Sequence, residues 1–266
     1  MGKVKMGSYN VKVYEYATGI QVRLYNQVLT YSEKVKKEPF LQSGEKVHAR
    51  ELSPERKEIS LQKSISRTIS QIYEVSRANT WEYFITLTFN RKLLDSSDYD
   101  LLCDKVSIWF NNIKKRYAPD LKYLVVPELH SDGVHYHFHG LLSNVGNIKF
   151  IDSGIKKKGH VIYNMTNWKY GWSTATKVAD TARVSSYITK YITKELCSVT
   201  KYKKRYWHSR NCNTANVKIY NLPYEDIDKI FEKNLHLLQH VSTKKIKDSG
   251  LIVTYVELKK ENQNDC

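Results

Sequence analysis

The chain has 266 residues, of which 41% are hydrophobic, enough for one large domain or for a core with extensions. Lys and Arg number 43 against 27 Asp and Glu, a formal charge of +16 that draws polyanions by Coulomb attraction and makes nucleic acid the first candidate partner. Cys103, Cys197, Cys212 and Cys266 lie far apart without a CxxC pair, which argues against a zinc ribbon or a disulfide framework and fits a reducing cytoplasm. No signal-peptide core opens the sequence and no run of about 18 apolar residues occurs, so a soluble protein with no membrane partner is expected.

Residues 9–30 alternate apolar and polar side chains around Ala17, Thr18 and Gly19, the pattern of a β-hairpin. Residues 31–52 are polar and broken by Pro39 and Gly44, which reads as a linker. Ser53 then stands as a helix N-cap with Pro54 at the first helical position, opening an amphipathic run to about Arg77. Strands are expected at 83–89, 121–127 and 134–142, and helices at 97–116 and 181–196. The two strands flanking the turn at Ser131, Asp132 and Gly133 should pair antiparallel. The fold class is therefore α+β, a central antiparallel β-sheet with flanking helices. A helix at 224–240 and a strand at 251–258 close the chain. Three parts are expected: 1–78 with hairpin, linker and helix, 79–211 as a catalytic core, and 212–266 as an extension.

Within that core, GVHYHFHGLL puts His135, His137 and His139 at period two, so on a strand three imidazoles leave one face. Imidazoles on an otherwise apolar strand are costly to bury unless they are paired or bound to metal. The plain alternative is a solvated strand face that carries histidine. Upstream, VVPELH supplies Glu128 and His130 across a tight turn, and Glu128 is the preferred oxygen ligand. A mixed set of Glu128, His137 and His139, with His135 as alternate ligand, suits Mg²⁺ or Mn²⁺ that also holds a phosphate, and zinc stays open. Which histidine pair binds is left undecided, but His137 belongs to both.

Further on, SSYITKYITKEL repeats Tyr-Ile-Thr-Lys, setting Tyr187 and Tyr191 four apart with Lys190 and Lys194 each three residues after a tyrosine. On a helix such side chains share a face and start about 5 to 6 Å apart. The pair makes candidate nucleophiles, with either lysine near a phosphate held beside a phenol. A strand is the competing reading of this β-branched run, and an ordinary apolar helix stripe is the other. A phenol with a pKa near 10 needs activation before it attacks at neutral pH.

Together, YFITLTF, PELHSDGVHYHFHGLLS and SYITKYITKEL, in that order, resemble the HUH endonucleases of rolling-circle replication initiators from plasmids and phages. His137, Phe138 and His139 match the family's His-apolar-His motif, and Tyr187 to Lys190 and Tyr191 to Lys194 match its Tyr-x-x-Lys motif in doubled form. The resemblance covers roughly 80–211 and departs from the pattern in the third histidine, His135. It implies an RRM-like palm, Mg²⁺ or Mn²⁺, a single-stranded or hairpin origin DNA as substrate, and a tyrosine that becomes linked to the 5′ phosphate. The chain would thus be a site-specific nickase and strand transferase that starts rolling-circle replication. A relaxase or transposase with the same chemistry, and a non-catalytic origin-binding repressor, are the alternatives. No GxxxxGK[ST] occurs, so unwinding is assigned to a host helicase in a bacterial cytoplasm. The basic stretch with Lys203, Lys204, Arg205, Tyr206 and Trp207 is expected to bind DNA, charges on phosphates and rings on bases.

Overall fold

A computed structural model describes residues 6–32, 53–246 and 249–260. In chain order these form β1 (Met6–Tyr16), β2 (Gly19–Ser32), α1 (Pro54–Arg77), β3 (Tyr83–Phe89), α2 (Tyr99–Arg116), β4 (Lys122–Leu129), β5 (Tyr136–Ser143), β6 (Phe150–Lys157), β7 (His160–Met165) and β8 (Gly171–Lys177). They continue with α3 (Thr181–Thr189), α4 (Lys194–Val199), β9 (Trp207–His208), β10 (Asn216–Tyr220), α5 (Tyr224–Lys233), β11 (Leu238–Lys245) and β12 (Ile252–Leu258). The class is α+β with antiparallel sheets, as the alternation of patterns implied.

Two compact units divide the chain, and the cut differs from the expected one. Residues 1–51 and 215–266 form one unit, whose described strands make a five-stranded sheet in the order β10-β1-β2-β12-β11. Val11, Val22, Val256 and Leu258 on one sheet face bury Ile227 of α5. The N-terminal hairpin is thus completed by the C-terminal strands, a pairing across more than 200 residues that local pattern does not reveal. The expected helix at 224–240 stops at Lys233, where the Asn234 side chain donates to the Ile230 carbonyl. Leu235–Leu237 then make one 3₁₀ turn and β11 follows, paired with β12 from Leu238↔Leu258 to Lys245↔Ile252. Nearly all of the linker expected at 31–52 lies outside the described residues.

Residues 52–214 form the second unit, with a seven-stranded sheet in the order β6-β7-β8-β3-β5-β4-β9. Helix α1 starts where the sequence places it: Ser53 Oγ accepts the Arg56 N–H, and Pro54 occupies a position that needs no donor. In α2, Asp98 caps through Leu101 N–H, and Leu102, Val106, Trp109, Phe110 and Ile113 recur at helical spacing to bury one face. Phe110 stacks on Tyr123 of β4 at 3.9 Å, which seats α2 on the sheet face that carries Phe138. The opposite face receives α3, whose Tyr187 ring meets Phe84 of β3 at 5.5 Å. A buried Ser76 to Ser185 hydrogen bond of 2.8 Å ties α1 to α3.

Strands β6 to β8 were not anticipated, because their surfaces are half exposed and glycines interrupt any long apolar rhythm. At the centre of the sheet, a Cβ on Gly140 would come within 3.2 Å of the Leu124 carbonyl and 3.1 Å of Ile85, so the residue after His139 is glycine for close strand approach.

Candidate active site

Antiparallel register builds the site. Glu128 of β4 lies opposite His137 of β5, and His139 lies opposite Thr86 of β3, so these four side chains rise from one sheet face. His139 is 6% exposed and held on both nitrogens: Nδ1 is 3.1 Å from Thr86 Oγ1, and Nε2 is 2.6 Å from Glu128 Oε2. Hydrogen bonding to His139 draws the Glu128 carboxyl below its ordinary pKa, while burial holds the His137 and His139 imidazoles below theirs. At neutral pH the pair is then a carboxylate and a neutral imidazole. His130 brings a further ring to 5.0 Å from His137.

His135 does not belong to this face. Strand pairing begins at Leu129↔Tyr136, leaving His135 in the turn, where its Nδ1 sits 2.7 Å from Asp132 Oδ2. Asp132 also accepts the Val134 and His135 backbone N–H groups at 3.0 Å. Its short side chain folds the loop on itself, so period two fails one residue before the strand. Arg91 bonds the same carboxylate at 3.2 Å and closes the loop onto the end of β3.

The two tyrosines reach the histidine face, but not along one continuous helix. Helix α3 ends at Thr189, with Lys190 N–H turned to the Tyr187 carbonyl, and α4 restarts under a Thr193 cap that accepts Leu196 N–H. β-Branched Ile192 and Thr193 favour this extended break, and Thr193 is a good N-cap. Tyr191 therefore sits in the break with its ring stacked flat on His139, centroids 3.7 Å apart and planes at 6°. Its hydroxyl donates to the Tyr187 hydroxyl at 3.3 Å. Tyr187 is 45% exposed while Tyr191 is 6% exposed.

Lys190 lies 3.7 Å from the Tyr187 ring centre and 4.9 Å from that of Tyr191. Hydrogen bonding from Lys190, and then from Tyr191, lowers the Tyr187 pKa, whereas burial raises that of Tyr191. Of the two lysines in the repeat, only Lys190 is at the phenols. Lys194 is turned to α1 and pairs with Glu58 at 2.8 Å.

Whether these groups suit a divalent ion can be judged from the donors. Among the described residues no set of three or more His, Cys, Asp or Glu is arranged to hold an ion as it stands. Glu128 Oε2 and His139 Nε2 are instead hydrogen-bonded to each other. Cis ligands of an octahedral ion lie about 3 Å apart, so the 2.6 Å contact has to open by only a few tenths of an ångström. Proton placement permits it, since a proton leaving Nε2 can reappear on Nδ1 facing Thr86 Oγ1. The donors gathered on this face are one carboxylate and two imidazoles, the oxygen and nitrogen types that divalent ions take.

The basic segment after α4 divides in two. Arg205, expected to touch DNA, is 8% exposed and donates to Thr200 Oγ1, Ser64 Oγ and the carbonyls of Cys197 and Thr200. It caps the end of α4. Tyr206 bonds Gln71, and Trp207, partly buried beside Phe138, opens β9 on the edge of β4. Lys203 pairs with Asp100 at 2.6 Å, and Lys204 stands over Trp207 at 5.8 Å, both on the surface.

Residues 82–196 match the family model described as Replication-associated protein ORF2/G2P, a match over less than half of the chain that runs from the start of β3 into α4. This similarity supports a replication-associated protein. Comparisons with curated proteins and with solved structures find no match. No helix among the described residues is long and apolar enough to cross a membrane.

Sequence reasoning missed Thr86 and Phe84, which orient His139 and seat both phenols. The strand YFITLTF did carry a signal: its even positions alternate with buried Ile85, Leu87 and Phe89 and so face the site.

Proposed function

We propose that the protein initiates rolling-circle replication by nicking origin DNA at a divalent-metal site of the HUH type, with tyrosine as nucleophile. The observation that carries this reading is the flat stack of Tyr191 on His139, which puts both phenols on the imidazole and carboxylate face. Glu128, His137 and His139 would hold Mg²⁺ or Mn²⁺, with His130 at the rim, and the ion would act as a Lewis acid on the scissile phosphate.

Tyr187 is assigned the first attack. It is the exposed phenol, its hydroxyl accepts from Tyr191, and Lys190 favours its ionised form. Its oxygen bonds to phosphorus as the bond from phosphorus to the 3′ oxygen breaks. The phenol gives up one proton, the leaving 3′ oxygen takes one up, and the 5′ phosphate stays on the enzyme as a diester that a 3′ hydroxyl can later reclaim. Tyr191, stacked and hydrogen-bonded to Tyr187, holds that phenol in place and is poised for a second transfer. A single-stranded or hairpin origin is the substrate, and a host helicase does the unwinding.

The test incubates the protein with a pool of random-sequence single-stranded oligonucleotides and Mn²⁺ and looks for an adduct that survives denaturation. The account expects the adduct in wild type, loss with EDTA, and loss in Glu128→Ala, His137→Ala and the Tyr187→Phe/Tyr191→Phe double variant. An adduct persisting in that double variant sinks the mechanism.

A further inference from the structure

Four of the five tryptophans are built into the core: Trp81, Trp109 and Trp168 are buried and Trp207 is partly buried against it. Trp172 is 74% exposed. It stands on β8 opposite Thr88 of β3, in the register that also pairs Thr86 with Thr174. Because Thr86 faces His139 across the other edge of β3, Trp172 and Thr174 rise from the same sheet face as the candidate metal ligands. One strand, β3, separates β8 from β5, so Trp172 lies roughly 10 Å across the sheet from the histidine strand. The face continues with half-buried Asn164 of β7 and exposed Ile151 of β6, which are paired.

The placement of the indole is tight. A Cβ on Gly171 would collide with the Thr88 carbonyl, so glycine at this position lets β8 start pressed against the end of β3. Exposed cations adjoin that end in the chain: Arg91, paired with Asp132, and Lys92 follow β3, and Lys169 precedes β8. An indole face on an open sheet, flanked by small hydroxyl side chains and adjoined in the chain by cations, offers stacking to an unpaired base and charge to its phosphates. A base paired in a duplex presents no free ring face here.

We propose that Trp172 is a base-stacking subsite, with Thr88 and Thr174 as its floor, that receives an unpaired nucleotide of single-stranded DNA next to the phosphate held at the histidine face. The inference rests on the nicking reading for the position of that phosphate, and it adds an interaction that selects single-stranded over duplex DNA.

The experiment reads binding alone, with no ion and no bond cut. Fluorescein-labelled dT15 is titrated in EDTA into wild type, Trp172→Ala and Trp172→Phe, with a blunt duplex as control and thermal melting to check folding. Trp172→Ala should weaken dT15 binding by about 5- to 100-fold, the worth of one stacked base, while Trp172→Phe stays within about threefold and duplex binding is unchanged. Intrinsic fluorescence should be quenched by dT15 in wild type and not in Trp172→Phe, a readout that survives if the alanine variant misfolds. Wild-type affinity for dT15 in Trp172→Ala, or equal quenching in Trp172→Phe, overturns the subsite. If wild type forms the Mn²⁺-dependent adduct but Trp172→Ala binds dT15 normally, only the subsite fails; if the adduct never forms but Trp172→Ala loses dT15, only the nicking reading fails.

Discussion

Replacing Arg205 by alanine separates a structural cation from DNA-binding ones within a single basic segment. Its guanidinium donates four hydrogen bonds of 2.9 to 3.3 Å, two of them to the Cys197 and Thr200 carbonyls at the end of α4. Alanine leaves the Cys197 carbonyl, in a site where Cys197 and Thr200 are fully buried, without this donor, while the Thr200 carbonyl keeps the Lys203 N–H at 3.0 Å. Leaving one buried acceptor unpaired costs about 1 to 3 kcal/mol. For a unit of this size that lowers the melting temperature by roughly 2 to 12 °C. Circular dichroism melting measures it. Parallel titrations of dT15 at two salt concentrations should show Lys204→Ala with wild-type melting, weaker binding and a salt slope reduced by about 0.7 for each phosphate that the lysine neutralises. Wild-type melting of Arg205→Ala together with weakened DNA binding would refute the structural assignment.

Further outcomes follow from the site. Thr86→Val removes the group facing His139 Nδ1 and should weaken Mn²⁺ binding by about 10- to 100-fold without displacing either ring, measured by calorimetry. Lys190→Ala should slow adduct formation, whereas Lys194→Ala should leave it intact and leave the melting temperature unchanged, since its pair with Glu58 is exposed on both sides. The two lysines thus separate in a single-turnover assay. Metal-free protein should lose stability as pH falls below about 6.5, the ordinary histidine value, toward the depressed values of folded His137 and His139, because the unfolded chain takes up those protons first. Urea midpoints at pH 7.5 and 5.5 should differ less in the His137→Gln/His139→Gln double variant than in wild type.

Much of the site could be read from residue order because it depends on short periods. His137 and His139 share a face by strand alternation, and Glu128 reaches them because a short turn fixes the β4 to β5 register. His135 escaped that rule once Asp132 recruited its imidazole and backbone into the turn, a competition that spacing alone does not show. Spacing of four put Tyr187 and Tyr191 together, yet the helix breaks between them, and what joins them is the Phe84 and His139 surface beneath. Arg205 shows the reverse error. A cation among cations reads as a DNA contact, and only tertiary packing reveals it closing a helix. The five-stranded sheet eluded the sequence for a related reason, since β1 and β2 find β10 and β12 near the other end of the chain.

Mass-spectrometric mapping of the DNA adduct tests the central claim most directly. Trypsin separates the candidates, with Tyr187 on the peptide 184–190 and Tyr191 on 191–194. After a single turnover with Mn²⁺ the account predicts a nucleotide 5′ phosphate on 184–190, absent when EDTA is present or when Glu128 is replaced by alanine. A modification on any residue other than these two tyrosines, or one formed equally well without the ion, would contradict it.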